Sequence, residues 1–139
     1  MDDRKRNYID GEWVETSSGE EIDVINPTTE EKIGSVPVSK EVDVDLAVTA
    51  ARRAFPGWSE TSVEERAAYL NSLSLAIKDR AEELARIITQ EVGTPIGYSR
   101  MAMVGTPRVV ARSYAKILED FTWEEHNRNS LIVKEPIGV

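Results

Sequence analysis

Apolar and polar positions along this chain follow two periods in succession. Up to about residue 38 they come in short, loosely alternating runs, which predicts strands and turns. Asn7-Tyr8-Ile9 and Glu12-Trp13-Val14 flank Asp10-Gly11. An Asp-Gly pair between such runs signals a tight hairpin. Ile22-Asp23-Val24-Ile25 stops at Asn26-Pro27, and Lys32-Ile33-Gly34-Ser35-Val36 supplies a return strand ending at Pro37.

From there the period becomes helical. Ser39 is placed to cap a helix whose first turns carry Glu41, Asp43 and Asp45. Leu46, Ala47, Ala50, Ala51, Ala54 and Phe55 recur at helical spacing, Pro56-Gly57 is read as the stop, and Trp58 is expected to fold back on the helix. Thr61 with Glu64, or Ser62 with Glu65, makes a capping box for the next helix. Its stripe Val63, Ala67, Leu70, Leu73, Ile77, Ala81, Leu84 and Ile88 is spaced 4, 3, 3, 4, 4, 3 and 4. That predicts one continuous helix of roughly 45 Å, closed by Gly93 in the left-handed conformation and by Pro95. Such a rod overhangs a compact body of this length, a sign that the chain suits something larger.

A third helix is predicted from Gly97 to Leu118, with a kink or restart at Thr106 where Gly105-Thr106-Pro107 interrupts it. Phe121 to Asn129 reads as a polar link, Ser130 to Glu135 as a strand, and Ile137-Gly138-Val139 opens another apolar run. A terminal strand this apolar needs a partner.

Composition narrows the chemistry. The 139 residues include no Cys and one His. Thiolate nucleophiles, disulfides, Cys-bound zinc and iron–sulfur clusters are therefore excluded within this stretch. Residues 1–31 hold 10 acidic and 3 basic side chains, whereas 32–139 hold 15 and 14. The net charge of −8 thus belongs to the N-terminal segment and argues against a nucleic-acid footprint. No run is long and apolar enough to span a membrane, and Met1–Arg6 lacks the apolar core of a secretory leader. A cytoplasmic location is the expectation.

No catalytic constellation emerges. His126 sits in the charged stretch Glu124-Glu125-His126-Asn127-Arg128. The carboxylate pairs Glu64-Glu65, Glu82-Glu83 and Glu124-Glu125 are sequence neighbours, which do not share a helix face. Gly93-Thr94-Pro95-Ile96-Gly97 follows a helix, whereas a phosphate cradle follows a strand and opens one.

Taken in order, several segments resemble the N-terminal region of the aldehyde dehydrogenase superfamily. They are Tyr8-Ile9-Asp10-Gly11-Glu12-Trp13-Val14, Val24-Ile25-Asn26-Pro27-Thr28-Thr29-Glu30 with Ile33 and Val36-Pro37, and the Ala-rich stretch from Val42 to Trp58. Arg66, Leu70 and Glu82-Glu83-Leu84-Ala85 follow, then Glu91-Val92-Gly93-Thr94-Pro95, Tyr114-Ala115 and Glu135-Pro136-Ile137-Gly138-Val139.

The resemblance implies an α/β fold: β-hairpin strands, three helices including a long one, and a C-terminal strand, with most of the family's Rossmann-type sheet beyond this chain. It implies segments 1–38 (strands and hairpin), 39–120 (helices of the cofactor domain) and 121–139 (link and strand leading onward). It also implies an enzyme that oxidises aldehydes to carboxylic acids with NAD or NADP. The family's catalytic Cys, general-base Glu, oxyanion Asn and cofactor glycines all lie downstream, so no catalytic or cofactor residue carries over. Two minor assignments do. A monovalent cation site maps to Val24, Ile25 and Glu91, and Thr106 maps to the border of the substrate tunnel. The expected partners are an aldehyde in the intact enzyme and either a missing C-terminal remainder or a second copy, with neither nucleic acid nor membrane. The competing reading is a non-enzymatic module that pairs with itself or with a full-length dehydrogenase subunit.

Overall fold

A computed structural model of the chain describes residues 6–139, so the reading of Met1–Arg6 as no secretory leader falls, but for Arg6, outside the described residues. Strands β1 (Arg6–Ile9) and β2 (Glu12–Glu15) pair antiparallel, with Tyr8 opposite Trp13. Asp10 and Gly11 both take positive φ, 55° and 83°, as a two-residue turn matched to the strand twist requires. Strands β3 (Glu21–Ile25) and β4 (Lys32–Pro37) form a second antiparallel pair, with a register shift between Val24 and Ile25. The side chain of Asn26 closes the connecting turn, its Oδ1 accepting from Thr28 N at 2.9 Å.

Helix α1 spans Glu41–Ser59 and departs from expectation at both ends. Lys40, not Ser39, is the N-cap. Ser39 instead accepts a 2.8 Å bond from Asn7 Nδ2 and tethers the first hairpin. The helix also runs through Pro56 instead of stopping there. Proline removes one bond, but it lies in the last turn, and the carbonyls beyond it find other donors. Arg66 Nη2 donates to Trp58 O at 3.1 Å and to Ser59 O at 2.9 Å. Trp58 is therefore part of the helix and stacks on Tyr69, with ring centroids 5.6 Å apart.

The buried carboxylate of Asp43 joins α1 to the turn before β3. It accepts from Lys40 N at 2.8 Å, from Ser17 Oγ at 2.8 Å and from Ser17 N at 3.1 Å. The bond from the Lys40 amide, followed by that from the Ser17 hydroxyl, holds its pKa below the usual carboxylate value. The stabilisation this gives is present above the unfolded pKa, about 3.9, and is lost as pH falls through the lower folded value. Asp43→Asn is expected to be less stable than the parent at pH 6, with a smaller gap at pH 2.5. Urea melts at the two pH values check this, and parallel pH curves would show that the carboxylate charge is irrelevant.

The rod expected over 63–92 is broken. Helix α2 covers Val63–Asp79 and α3 covers Ala81–Val92, with Arg80 between them at φ −105°, ψ 16°. Neither Gly nor Pro marks the break. Packing re-aims the chain there, α2 lying against the later helix α5 and α3 against the segment before it. Arg80 stays at the joint by forking onto Glu83, at 2.8 and 2.5 Å. Of the two capping boxes offered by sequence, Ser62 with Glu65 forms, at 3.1 Å in each direction. Gly93 closes α3 with φ 75°.

The third helical region starts with α4 (Ile96–Tyr98), widens into a π-helical segment over Ser99–Val104, and continues as α5 (Gly105–Asp120). The interruption expected at Thr106 is thus taken up one turn earlier. Pro107 is the third residue of α5, so its missing N–H falls just after the hydrogen-bond spacing changes from π to α. Ser99 is fully buried, and its Oγ lies 2.9 Å from both Thr89 Oγ1 and Thr94 Oγ1. Three hydroxyls thereby pin α3, its closing turn and the π segment together.

The polar link expected from Phe121 to Asn129 contains a strand. Strand β5 (Glu124–Asn127) pairs antiparallel with β6 (Ser130–Val133) around Arg128 at φ 55°. Among the described residues the buried apolar side chains are Ala67, Ala85, Val104, Ala111 and Ala115, all in the helical region. The architecture is α/β, with three two-stranded sheets among the described residues beside the packed helices.

Candidate functional site

The residues singled out for the cation site come from segments far apart in sequence that the fold brings together. Val24 and Ile25 end β3 at the register shift, opposite Gly34 and Lys32, with Ile33 the extra residue on β4. Glu91 lies in the last turn of α3, two residues before the left-handed Gly93. A Cβ on Gly93 would come within 3.0 Å of Pro27 Cγ and 3.4 Å of Thr28 Oγ1, so the end of α3 abuts the turn after Ile25. That end is the negative pole of the helix dipole, where the last carbonyls point outward. The Glu91 carboxylate and backbone carbonyls are hard-oxygen groups, the donor class that alkali and alkaline-earth cations favour over transition metals. Among the described residues no three His, Asp or Glu side chains cluster as a metal centre.

Thr106 is the second residue of α5, exposed, directly after the π segment. His126 sits on β5 opposite Leu131, exposed. Glu82 is turned to Arg100, whose Nε and Nη2 donate at 2.6 and 2.9 Å. That hydrogen-bonded fork, more than the charge itself, lowers the Glu82 pKa and raises that of Arg100. It ties α3 to the π segment. The carboxylate pairs suggested by sequence adjacency do not converge on any shared group. Sequence reasoning missed the hydroxyl trio at Ser99, because its members are spread over three elements and none is unusual locally.

The β4–α1 junction does not suit a nucleotide's pyrophosphate. That group needs free helix N-terminal amides after a strand. The β4–α1 junction has that topology, but Glu41 and Asp43 fill its first turn, and the Asp43 carboxylate already occupies the Lys40 amide. No described helix is long and apolar enough to cross a membrane.

Comparison with known proteins extends this picture. Residues 13–139 match the family model described as "Aldehyde dehydrogenase family". A 3-succinoylsemialdehyde-pyridine dehydrogenase from a Pseudomonas species is 39% identical over 142 residues, covering 100% of this chain and 29% of that protein. The crystal structure of a point mutant of aldehyde dehydrogenase C from Pseudomonas syringae, complexed with NAD+ and octanal, superposes with a TM-score of 0.94 at 37% identity. It covers 96% of this chain and 28% of that one. A betaine aldehyde dehydrogenase from Staphylococcus aureus, in complex with NAD+, gives 0.89 at 34% identity, covering 97% of this chain and 29% of that one. The chain therefore spans about 29% of the length of the curated relatives it matches.

Proposed function

The chain belongs to the aldehyde dehydrogenase family, and we propose that it forms the N-terminal quarter to third of an enzyme that oxidises aldehydes to carboxylic acids with NAD or NADP, turning over no aldehyde by itself. One observation carries the second half of this reading: a chain matched along its whole length to a family that works through a catalytic thiolate contains no cysteine. Thiolate attack on the aldehyde carbonyl, which sets up hydride transfer to the nicotinamide and leaves a thioester for water to cleave, has no nucleophile among these 139 residues. His126, exposed on a two-stranded hairpin, offers no replacement. The purified chain, mixed with NAD+ or NADP+ and octanal, is expected to give no NAD(P)H absorbance above buffer. Sustained production would overturn the proposal.

Within the whole enzyme the segment's role is structural support. The junction of β3 and α3 is the proposed monovalent cation site, with the Val24 and Ile25 carbonyls and the Glu91 carboxylate as donors. The hard-oxygen chemistry and the contact of Gly93 with the Pro27 turn support that assignment. Thr106, exposed at the start of α5, is proposed to border the aldehyde's path.

A further inference from the structure

The first hairpin turns on the one Asp-Gly pair in the chain; the other aspartates precede larger residues, such as Val24, Val44 and Leu46. The amide nitrogen after an aspartate can attack that aspartate's own carboxyl carbon, and a side chain on the following residue crowds the attack. Glycine presents no such side chain. Asp10 and Gly11 are both exposed, and nothing lies within 4 Å of where a Cβ on Gly11 would stand. The tip of the turn is therefore uncrowded and open to water.

One contact restrains it. The Asp10 carboxylate is ion-paired with Arg53 Nη2 on α1, 43 residues away in sequence. Ring closure requires the side chain to bring Cγ onto the Gly11 nitrogen and to give up an oxygen as water. The ion pair ties the carboxylate to α1 and opposes both movements.

We propose that Asp10-Gly11 is a site of spontaneous aspartate isomerisation and that Arg53 restrains it. The Gly11 nitrogen bonds to Asp10 Cγ, and its proton departs with a carboxyl oxygen and a solvent proton as water, leaving a five-membered succinimide. Water then adds to the main-chain carbonyl carbon of residue 10 and breaks its bond to nitrogen. The peptide now runs through Cγ, and a free carboxylate is left on Cα. Water is released and taken up again, and no oxidant or reductant is needed. The main chain gains one carbon in a two-residue turn whose twist is matched to the strands, so the Ile9–Glu12 pairing that closes the hairpin is lost. The hairpin is thereby freed from Arg53 and stays linked ahead of α1 through Asn7 and Ser39. The product is a slow, chemically written loosening of the first hairpin from α1.

The test incubates the purified chain at neutral pH and body temperature and follows the tryptic peptide 7–32. That peptide also contains Asp23, within β3 and before Val24, as an internal control. Aspartyl and isoaspartyl forms have equal mass, separate by chromatography and are told apart by electron-transfer fragmentation. Isoaspartate is expected to accumulate at residue 10 and not at 23. Arg53→Gln is expected to raise the rate about two- to fivefold, the weight of an exposed ion pair. Arg53→Lys keeps a cation there and is expected near the parent rate. Concentrated salt is expected to speed the parent toward Arg53→Gln and to leave that variant unchanged. Asn7→Ala loosens the hairpin without touching Asp10 and is expected to speed the reaction less than Arg53→Gln does. No isoaspartate at residue 10 in Arg53→Gln overturns the site. Equal rates in the parent and Arg53→Gln, or an equal acceleration by Asn7→Ala, overturn the role of Arg53.

Discussion

Replacing Ala115 with Leu is expected to lower the chain's stability by about 3 kcal/mol, at the upper end for overpacking a tight contact, which corresponds to roughly 10 °C in Tm. Ala115 is 2% exposed on α5, which packs against α2, and Ala111 on α5 and Ala67 and Ser74 on α2 are buried as well. The buried side chains on both helices are small, and a close-packed interior leaves little room for an isobutyl group. The leucine must push α2 away or adopt a strained rotamer. Lys116→Ala, one residue on and exposed, is the control and is expected within about 0.5 kcal/mol of the parent. Thermal melts followed by circular dichroism read both. If Ala115→Leu melted with the control, α2 and α5 would not be closely packed at Ala115.

That contact shows what could be read from the chain and what could not. The α2 stripe was visible as spacing, yet spacing alone assigns Leu73 and Ala67 to one face, and only the partner helix separates them. The first two hairpins were legible because Asp10-Gly11 and Asn26-Pro27 have turn chemistry of their own. Strand β5 was not, because Glu124-Glu125-His126-Asn127 has no strand preference and is selected by pairing with Ser130–Val133. The break at Arg80 left no Gly or Pro to find. Pro56, a true signal, was overruled because Arg66 caps the turn that follows it. For the candidate site, motif resemblance named Val24, Ile25 and Glu91, but nothing local in the sequence says that Gly93 touches Pro27.

Gly93→Ala is expected to cost about 2–3 kcal/mol, of which about 1–2 kcal/mol is the left-handed backbone penalty. Two separable effects act at this residue. Its φ of 75° is a conformation that alanine resists, and a Cβ would meet Pro27 Cγ at 3.0 Å, inside ordinary contact distance. Gly97→Ala makes the same chemical change in helix α4, with nothing within 4 Å, and is expected to stabilise by about 0.5–1 kcal/mol. Opposite signs for one substitution four residues apart would isolate conformation and contact as the cause. Asparagine divides them further, since it accepts the left-handed backbone more readily yet carries the same Cβ. Gly93→Asn should therefore retain mainly the Pro27 term, and pairing it with Pro27→Ala should recover part of the loss. Urea melts of the single and double variants give that coupling. Zero coupling would mean that α3 does not press on the Asn26-Pro27 turn, and the proposed meeting of Glu91 with the Val24 and Ile25 carbonyls would lose its support.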